Sequence, residues 1–523
     1  MPSRFLVVEL PLGENGLSGS RDQTTIPPSA LITANNLSYS DGTLKKEGGS
    51  SKYNTISVSG KIIGGHDWFP TALLQRQIIG VDDGRIMRAE GPGDTGTFSN
   101  ITTGLTMTKG SVFFVDGGFE DAANNKKLFI FTGSDAVRFI DGDGITTAVI
   151  PDPPADWTGT NQPSFGLIHI DRLWGGGNAN DPHRIYFSSV SNHGSFTGGG
   201  SLSIFPGQGQ ELVAAVSFKA FIICFKFPAG IYIIDTTSTV ITNWRVDRLN
   251  DQIGIAGTNA WAVIDNDIIF MDSTGNIQLL SIIDFESRNS SSLSKIADMN
   301  QWVRDNINLG SIKNTRAIYY PAKREVHFCL AGLGGTSNTQ RIVVDFNADR
   351  PRFRTSDKDV CESAWLKLDL DNIPRLTTGD DVGFVWNLDQ STRSKDGAAY
   401  NGLWQTPHMD MSHIDPALAT VRKNAHWLEL VLEPSGNWNM DITLIYDDAV
   451  HSTVSFNMGG DSAVLGSFIL GTSVLGGSEI VTSKKRITGS FRRVSFQGSN
   501  AVAAQDFSLA KMYLHFLPGT ERL

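Results

Sequence analysis

Four residues come closest to the spacing of a metal site: His408, Asp410, His413 and Asp415. Imidazole and carboxylate ligands hold zinc or manganese only when they converge in space. These four fall between Pro407 and Pro416 with no helical period, which predicts a solvated linker. Asp141-Gly142-Asp143-Gly144 and Asp369-Leu370-Asp371-Asn372 carry the alternating acids of calcium loops. Neither supplies the bidentate Glu at the twelfth loop position, so both read as hairpin turns. Two carboxylates flanking a sugar would make a glycosidase, but 54 acidic residues make any pair on paper uninformative. Asp272-Ser273-Thr274-Gly275 is a turn and lacks the rest of the Ser-x-Asp-x-Gly-x-x-Trp box. P-loop, G-x-G-x-x-G, H-E-x-x-H and G-x-S-x-G patterns are missing. Cys224, Cys329 and Cys361 form an odd, sparse set without C-x-x-C spacing, which predicts core thiols rather than a disulfide framework or zinc ribbon. The sequence therefore assigns no catalytic, cofactor-binding or metal-ligating residue. What it does offer is charge: Lys45-Lys46, Lys484-Lys485-Arg486 and Arg492-Arg493 are candidate contacts with a partner protein, the alternative being a solvated face.

The elements that would carry these residues are strands. Apolar and β-branched runs of a few residues recur between Gly, Asp and Asn, as in Lys127-Leu128-Phe129-Ile130-Phe131, Phe221-Ile222-Ile223-Cys224-Phe225 and Ile268-Ile269-Phe270-Met271. Helical spacing is confined to about residues 293–308, through Ile296, Met299, Trp302 and Val303 after a Ser run. Strand–turn–strand pairs recur near 77–88, 127–140, 168–187, 221–234, 261–279, 316–328 and 376–388. A coarse period of this size predicts an all-β chain with a β-propeller of six to eight blades over 59–402; serial sandwiches or a solenoid are the other arrangements it allows. Residues 1–58 read as an extended N-terminal lead contributing to a platform. After Gly402 the alternation of Trp427 to Glu433 and of Met440 to Tyr446, across Pro434-Ser435-Gly436, predicts a hairpin with one dry face, and 403–523 a C-terminal β-sandwich. The apolar, Gly-rich stretch Val464 to Gly477 reads as an arm for a subunit contact.

Composition narrows the partners. The 523 residues carry 44 basic and 54 acidic side chains, a net charge of −10, and only 19 % charged residues against 54 glycines. A broad basic face gripping phosphate backbones is excluded, whereas nucleic acid sliding past is not. No stretch is long and apolar enough to span a bilayer as a helix, and Phe5 to Val8 is too short for a signal h-region, which predicts a soluble chain without a cleaved signal.

Two motifs resemble a known family. The first is Ile26-Pro27-Pro28-Ser29-Ala30, then Ala34-Asn35-Asn36-Leu37-Ser38, then Asp41-Gly42-Thr43-Leu44-Lys45-Lys46-Glu47-Gly48. The second is Ile170-Asp171-Arg172-Leu173-Trp174, followed by Pro182-His183-Arg184-Ile185-Tyr186-Phe187-Ser188-Ser189. Together with Phe205-Pro206-Gly207 and Gly230-Ile231-Tyr232, they resemble the tail nozzle or hub proteins of short-tailed bacteriophages, of the packaged-DNA stabilisation type. The resemblance covers about residues 26–240. It departs at Glu47, where the family often has a basic residue. It implies a virion structural protein of the tail, assembled in a host cytoplasm. Such a protein forms a homo-hexameric ring that extends the portal–adaptor channel, meets the adaptor and tail fibres or spikes, and retains and then conducts double-stranded DNA without reading its sequence. It implies no cofactor, no enzymatic activity, and a structural role for Trp174 with Arg172 pairing nearby. The rival reading from the residues is a propeller hydrolase or lectin acting on cell-surface glycans, which would place convergent carboxylates in the propeller mouth.

Overall fold

The structure, a computed structural model, describes residues 5–519 except 21–24, 41, 72–73, 90–95, 119–125, 143–144, 208, 282–290, 297–298, 370 and 460–479. It is an all-β chain whose middle is a β-propeller. Six antiparallel four-stranded sheets stand separately: 62–102, 113–149, 165–203, 211–250, 261–292, and 363–390 completed by the strand Gly49–Lys52. Four more strands, 316–356, hold the remaining place in the ring and run on into a nine-stranded sheet. Numbering by chain order makes 62–102 blade 1, 316–356 blade 6 and 363–390 blade 7. In each blade the first strand is innermost. Ile62–Thr71 of blade 1 neighbours both Phe113–Gly118 of blade 2 and Ser363–Leu368 of blade 7, which closes the circle.

The blades form where the sequence is densest in β-branched and aromatic residues, because these fill a pleated surface buried on both faces. In the second strand of blade 4, Ile222, Ile223, Cys224 and Phe225 are all fully buried. Each ring also needs material between its diverging blades. Trp174 lies between blades 3 and 4, stacked on Trp244 at 5.5 Å and against Phe187 at 4.8 Å. Its indole N–H donates to His169 O (3.1 Å). Arg172 donates to the Ser188 carbonyl and lies over the Phe187 ring. The motif starts on a two-residue turn, Ile170-Asp171, with both φ values positive (46° and 50°), the geometry of tight hairpins.

The helical segment forms two short helices, Leu293–Ile296 and Met299–Asn306, after blade 5, with Met299 and Val303 buried.

Both ends of the chain build two further sheets. One orders Leu37–Ser40, Thr43–Lys46, Ser508–Pro518, Lys423–Leu432 and Val481–Arg486, with Leu6–Leu10 also paired to Ser508–Pro518. The other continues blade 6 through Thr33–Asn35, Gly402–Gln405, Val494–Asn500, Asn439–Tyr446 and Ala449–Asn457. Leu428, Leu430, Leu514 and Phe516 of the first share a core with Ile442, Leu444 and Phe496 of the second. This corrects the expected hairpin. Lys423–Leu432 and Asn439–Tyr446 do not pair with each other; they lie in different sheets, each turning its dry face to the other. Two dry faces packed together exclude more water than two strands side by side.

The N-terminal lead threads both parts. Residues 33–46 add to the terminal sheets, and Gly49–Lys52 is the outer strand of blade 7, antiparallel to Val385–Gln390. The arm Val464 to Gly477 lies outside the described residues.

Candidate functional site

The sequence-predicted contact residues separate into four environments. Lys45 is paired with Glu433 at 2.8 Å. Lys46 is fully buried: its ammonium donates to Asn500 Oδ1 (3.2 Å) and Val502 O (2.9 Å) and lies over the Tyr400 ring. Burial pushes its pKa down to about 8. Lys46 is therefore corrected from surface contact to internal strut, because successive residues of a strand face opposite sides. Lys484, Lys485 and Arg486 are exposed on Val481–Arg486, the outermost strand of its sheet. Lys484 stands 3.4 Å from Glu429 and over the Trp427 ring. Arg492 and Arg493 flank the turn Asp447-Asp448. Both of their backbone N–H groups donate to Asp447 Oδ1 (2.9 Å each), and Arg493 also pairs with Asp448 at 2.7 Å. The edge strand is thus a basic rim on a net-acidic molecule, the arrangement that keeps an edge from pairing with another sheet and leaves charge for a partner.

The metal-like cluster does not assemble. His408 is half-buried and its Nδ1 lies 3.1 Å from Asp448, Asp410 accepts from Ser412 N (2.8 Å), and Asp415 caps a short 3-10 turn at Ala417 N (2.9 Å). Asp369 accepts from Asp371 N and Ile373 N, the hydrogen bonds of a hairpin turn. Asp141 pairs with Lys127, while Asp143 and Gly144 lie outside the described residues. The three thiols are free and buried.

A second set of charges was missed by sequence reading. Where the lead crosses blades 6 and 7, Glu47 pairs with Arg341 (2.6 Å), Glu325 with Arg354 (2.7 Å), and Lys358 with Asp359, all of them buried. Ser50 Oγ donates to Asp359 (2.7 Å) and Tyr400 donates to Glu47 O. Burial alone would raise the Glu47 pKa, but Arg341, Lys358 and Arg354 hold it below the ordinary carboxylate value. A basic residue at position 47 would stand against three cations. Asn36, from the same motif, adopts φ 53° and spends its whole amide on Asp357, Asn401 and Ser356. The signal available in the sequence was the Arg/Glu alternation in otherwise apolar strands, such as Arg352-Phe353-Arg354.

A chamber of about 300 Å³ is bordered by the innermost strands of blades 1, 2, 5, 6 and 7. Its walls present polar and apolar surface in about equal parts: Phe113, Phe114, Trp261 and Ile318 line it together with Asn259, Arg316, Ser363 and His66. No carboxylate belongs to its described lining. At the mouth, His66 stacks on Phe114 and bonds Asp116 (3.0 Å).

No family model matches this chain, and no curated protein does. Among solved structures it is similar to the WD40 β-propeller domain of Doa1 (TM-score 0.38, 11 % identity, 66 % of this chain and 97 % of that one). It is also similar to YCF48 bound to D1 peptide (TM-score 0.39, 10 % identity, 68 % and 97 %). A third is BBS1N in complex with ARL6DN, soaked with lead (TM-score 0.41, 10 % identity, 66 % and 96 %).

Proposed function

We propose that this chain is a virion structural protein, a nozzle or hub subunit of a short-tailed phage tail. In this reading it closes into a homo-hexameric ring beneath the portal and adaptor. The terminal sheets meet the adaptor and the fibres or spikes, with Lys484, Lys485 and Arg486 as the contact rim, and duplex DNA passes without being read.

The observation that carries the reading is the course of the N-terminal lead. The residues that resemble the family's opening motif are the ones that lock the terminal sheets to blades 6 and 7, through Asn36, Glu47 and Gly49–Lys52. A subunit that must transmit load between a capsid connector and distal parts needs such a rigid union. Net charge supports the same reading: a −10 chain repels phosphate, so DNA leaving through a ring of such subunits is not held by the wall. The chamber inside each propeller is far narrower than a duplex, so the path for DNA lies between subunits, on the ring axis.

The test is the mass of the purified chain in solution, alone and mixed with the adaptor–portal assembly of its virion. Six copies, either as a free ring or joined to the assembly, are expected. A monomer that ignores the assembly overturns the proposal and favours a glycan-directed propeller, which hydrolysis and binding screens would then identify.

A further inference from the structure

Arg316 opens the innermost strand of blade 6 and is 7 % exposed. Its Nη2 reaches across the ring to donate to Gly110 O (3.2 Å), in the loop that leads into blade 2, and its Nη1 donates to Thr315 O (3.3 Å). Arg316 borders both the axial chamber and a smaller cavity of about 150 Å³, lined by Lys109, Ser111 and the ion pair Lys313–Glu211 (2.7 Å) among others. It is a crossbar on the propeller axis.

Its electrostatics are incomplete. The Nε–H is buried out of reach of water and has no hydrogen-bond partner among the described residues, so only the Nη groups can face a ligand in the chamber, and no ion pair of Arg316 occurs among the described residues. Glu362, the acid whose charge reaches it, is already engaged: Lys61 stands 2.7 Å from it and Asn338 N donates to it at 3.1 Å. A cation taken out of water and left without a counter-ion is costly, and a bound anion offsets that cost. The chamber beside it is open to solvent and carries Phe113, Trp261 and Ile318 among its walls.

We propose that the axial chamber is a binding site for a small carboxylate with an apolar or aromatic body. The carboxylate sits on the Nη groups of Arg316, Asn259 is the neighbouring polar side chain (the Ser363 hydroxyl is already donated to Ile62 O), and the body fills the space between the aromatic walls. A volume of about 300 Å³ is at the lower end for small-molecule sites, which fits a single ring and excludes a polymer strand.

Benzoate is the probe, titrated into the full-length protein by calorimetry, with benzamide and inorganic phosphate as controls. Benzoate should bind, and each control should bind at least tenfold more weakly, because benzamide lacks the charge and phosphate lacks the body. Arg316→Gln should weaken benzoate at least tenfold. Since Arg316 also bonds Gly110, Ala364→Phe provides a second variant that fills the chamber and leaves Arg316 in place. It should abolish binding without lowering the melting temperature. Failure of benzoate to bind overturns the proposal, as does equal binding of benzamide or phosphate, or binding that Ala364→Phe leaves unchanged.

Discussion

Replacing Glu47 with Gln would strand Arg341, which is 1 % exposed and, among the described residues, takes its ion pair from that carboxylate. Removing one partner of a buried pair costs about 3–5 kcal/mol. A urea titration of Glu47→Gln should therefore show a lower midpoint at an unchanged slope. Acid should act in two stages. His169 lies between Ser217 Oγ (2.8 Å) and Thr236 Oγ1 (2.7 Å), and burial pushes its pKa down to about 4. The unfolded chain then binds the extra proton below its ordinary value of about 6.5, so stability present above pH 6.5 is lost as pH falls toward 4. Glu47 and Asp359 are held below the carboxylate range, each despite burial that would raise it, by Arg341 and Lys358. Their contribution is present above about pH 4.3 and is lost as pH falls further. Melting curves from pH 7.5 to 3 should show both stages, and His169→Asn should reduce the first without removing it, since burial also lowers the pKa of His193, His327 and His408.

At the scale of elements, two contacts hold the ring. Trp174→Ala would empty the space between blades 3 and 4, where the ring is fully buried and stacked on Trp244. Such a deletion costs about 3–5 kcal/mol, readable by chemical denaturation. Ser50→Pro would remove the N–H that donates to Ser394 O (3.0 Å) and the hydroxyl bonded to Asp359, in the strand that completes blade 7. A cost of about 3 kcal/mol or more is expected, with limited proteolysis cutting first between the lead and blade 7. The blades were legible because their second strands are buried on both faces and so read as continuous apolar runs. The seven strand-pair stations of the sequence all fall on blades, yet their phase wanders between first, second and third strands. The innermost strands carry mixed residues, such as Gly64, Gly65 and His66, and give no such run. The pairing of Lys423–Leu432 was not legible, since one dry face looks the same whether its partner lies beside it or across a core.

At the scale of the molecule, charge decides the expected behaviour of the assembly. If Val481–Arg486 is the contact rim, changing Lys484, Lys485 and Arg486 together to Glu should prevent incorporation into the adaptor–portal complex. The chain itself should lose no more than about 1 kcal/mol, because these side chains are exposed. The same contact should weaken as salt is raised from about 0.05 to 0.5 M, since the Debye length then falls below the spacing of surface charges. Co-sedimentation at two salt concentrations measures both.

The sequence by itself determined the all-β character, the repeat, the buried thiols and the acidic balance, because each depends on local composition or on a period set by the strand. It also singled out Trp174 for a structural role. Only the tertiary structure decided which charges are spent inside. Lys45 and Lys46 are neighbours in the chain, yet one meets Glu433 near the surface and the other is sealed beneath Tyr400. Arg316 reads as one more strand residue until the ring closes and carries its guanidinium across the axis to Gly110, 206 residues away. Contacts of that sequence separation leave no local signature, because they are set by how seven sheets close on one another and not by any stretch of chain.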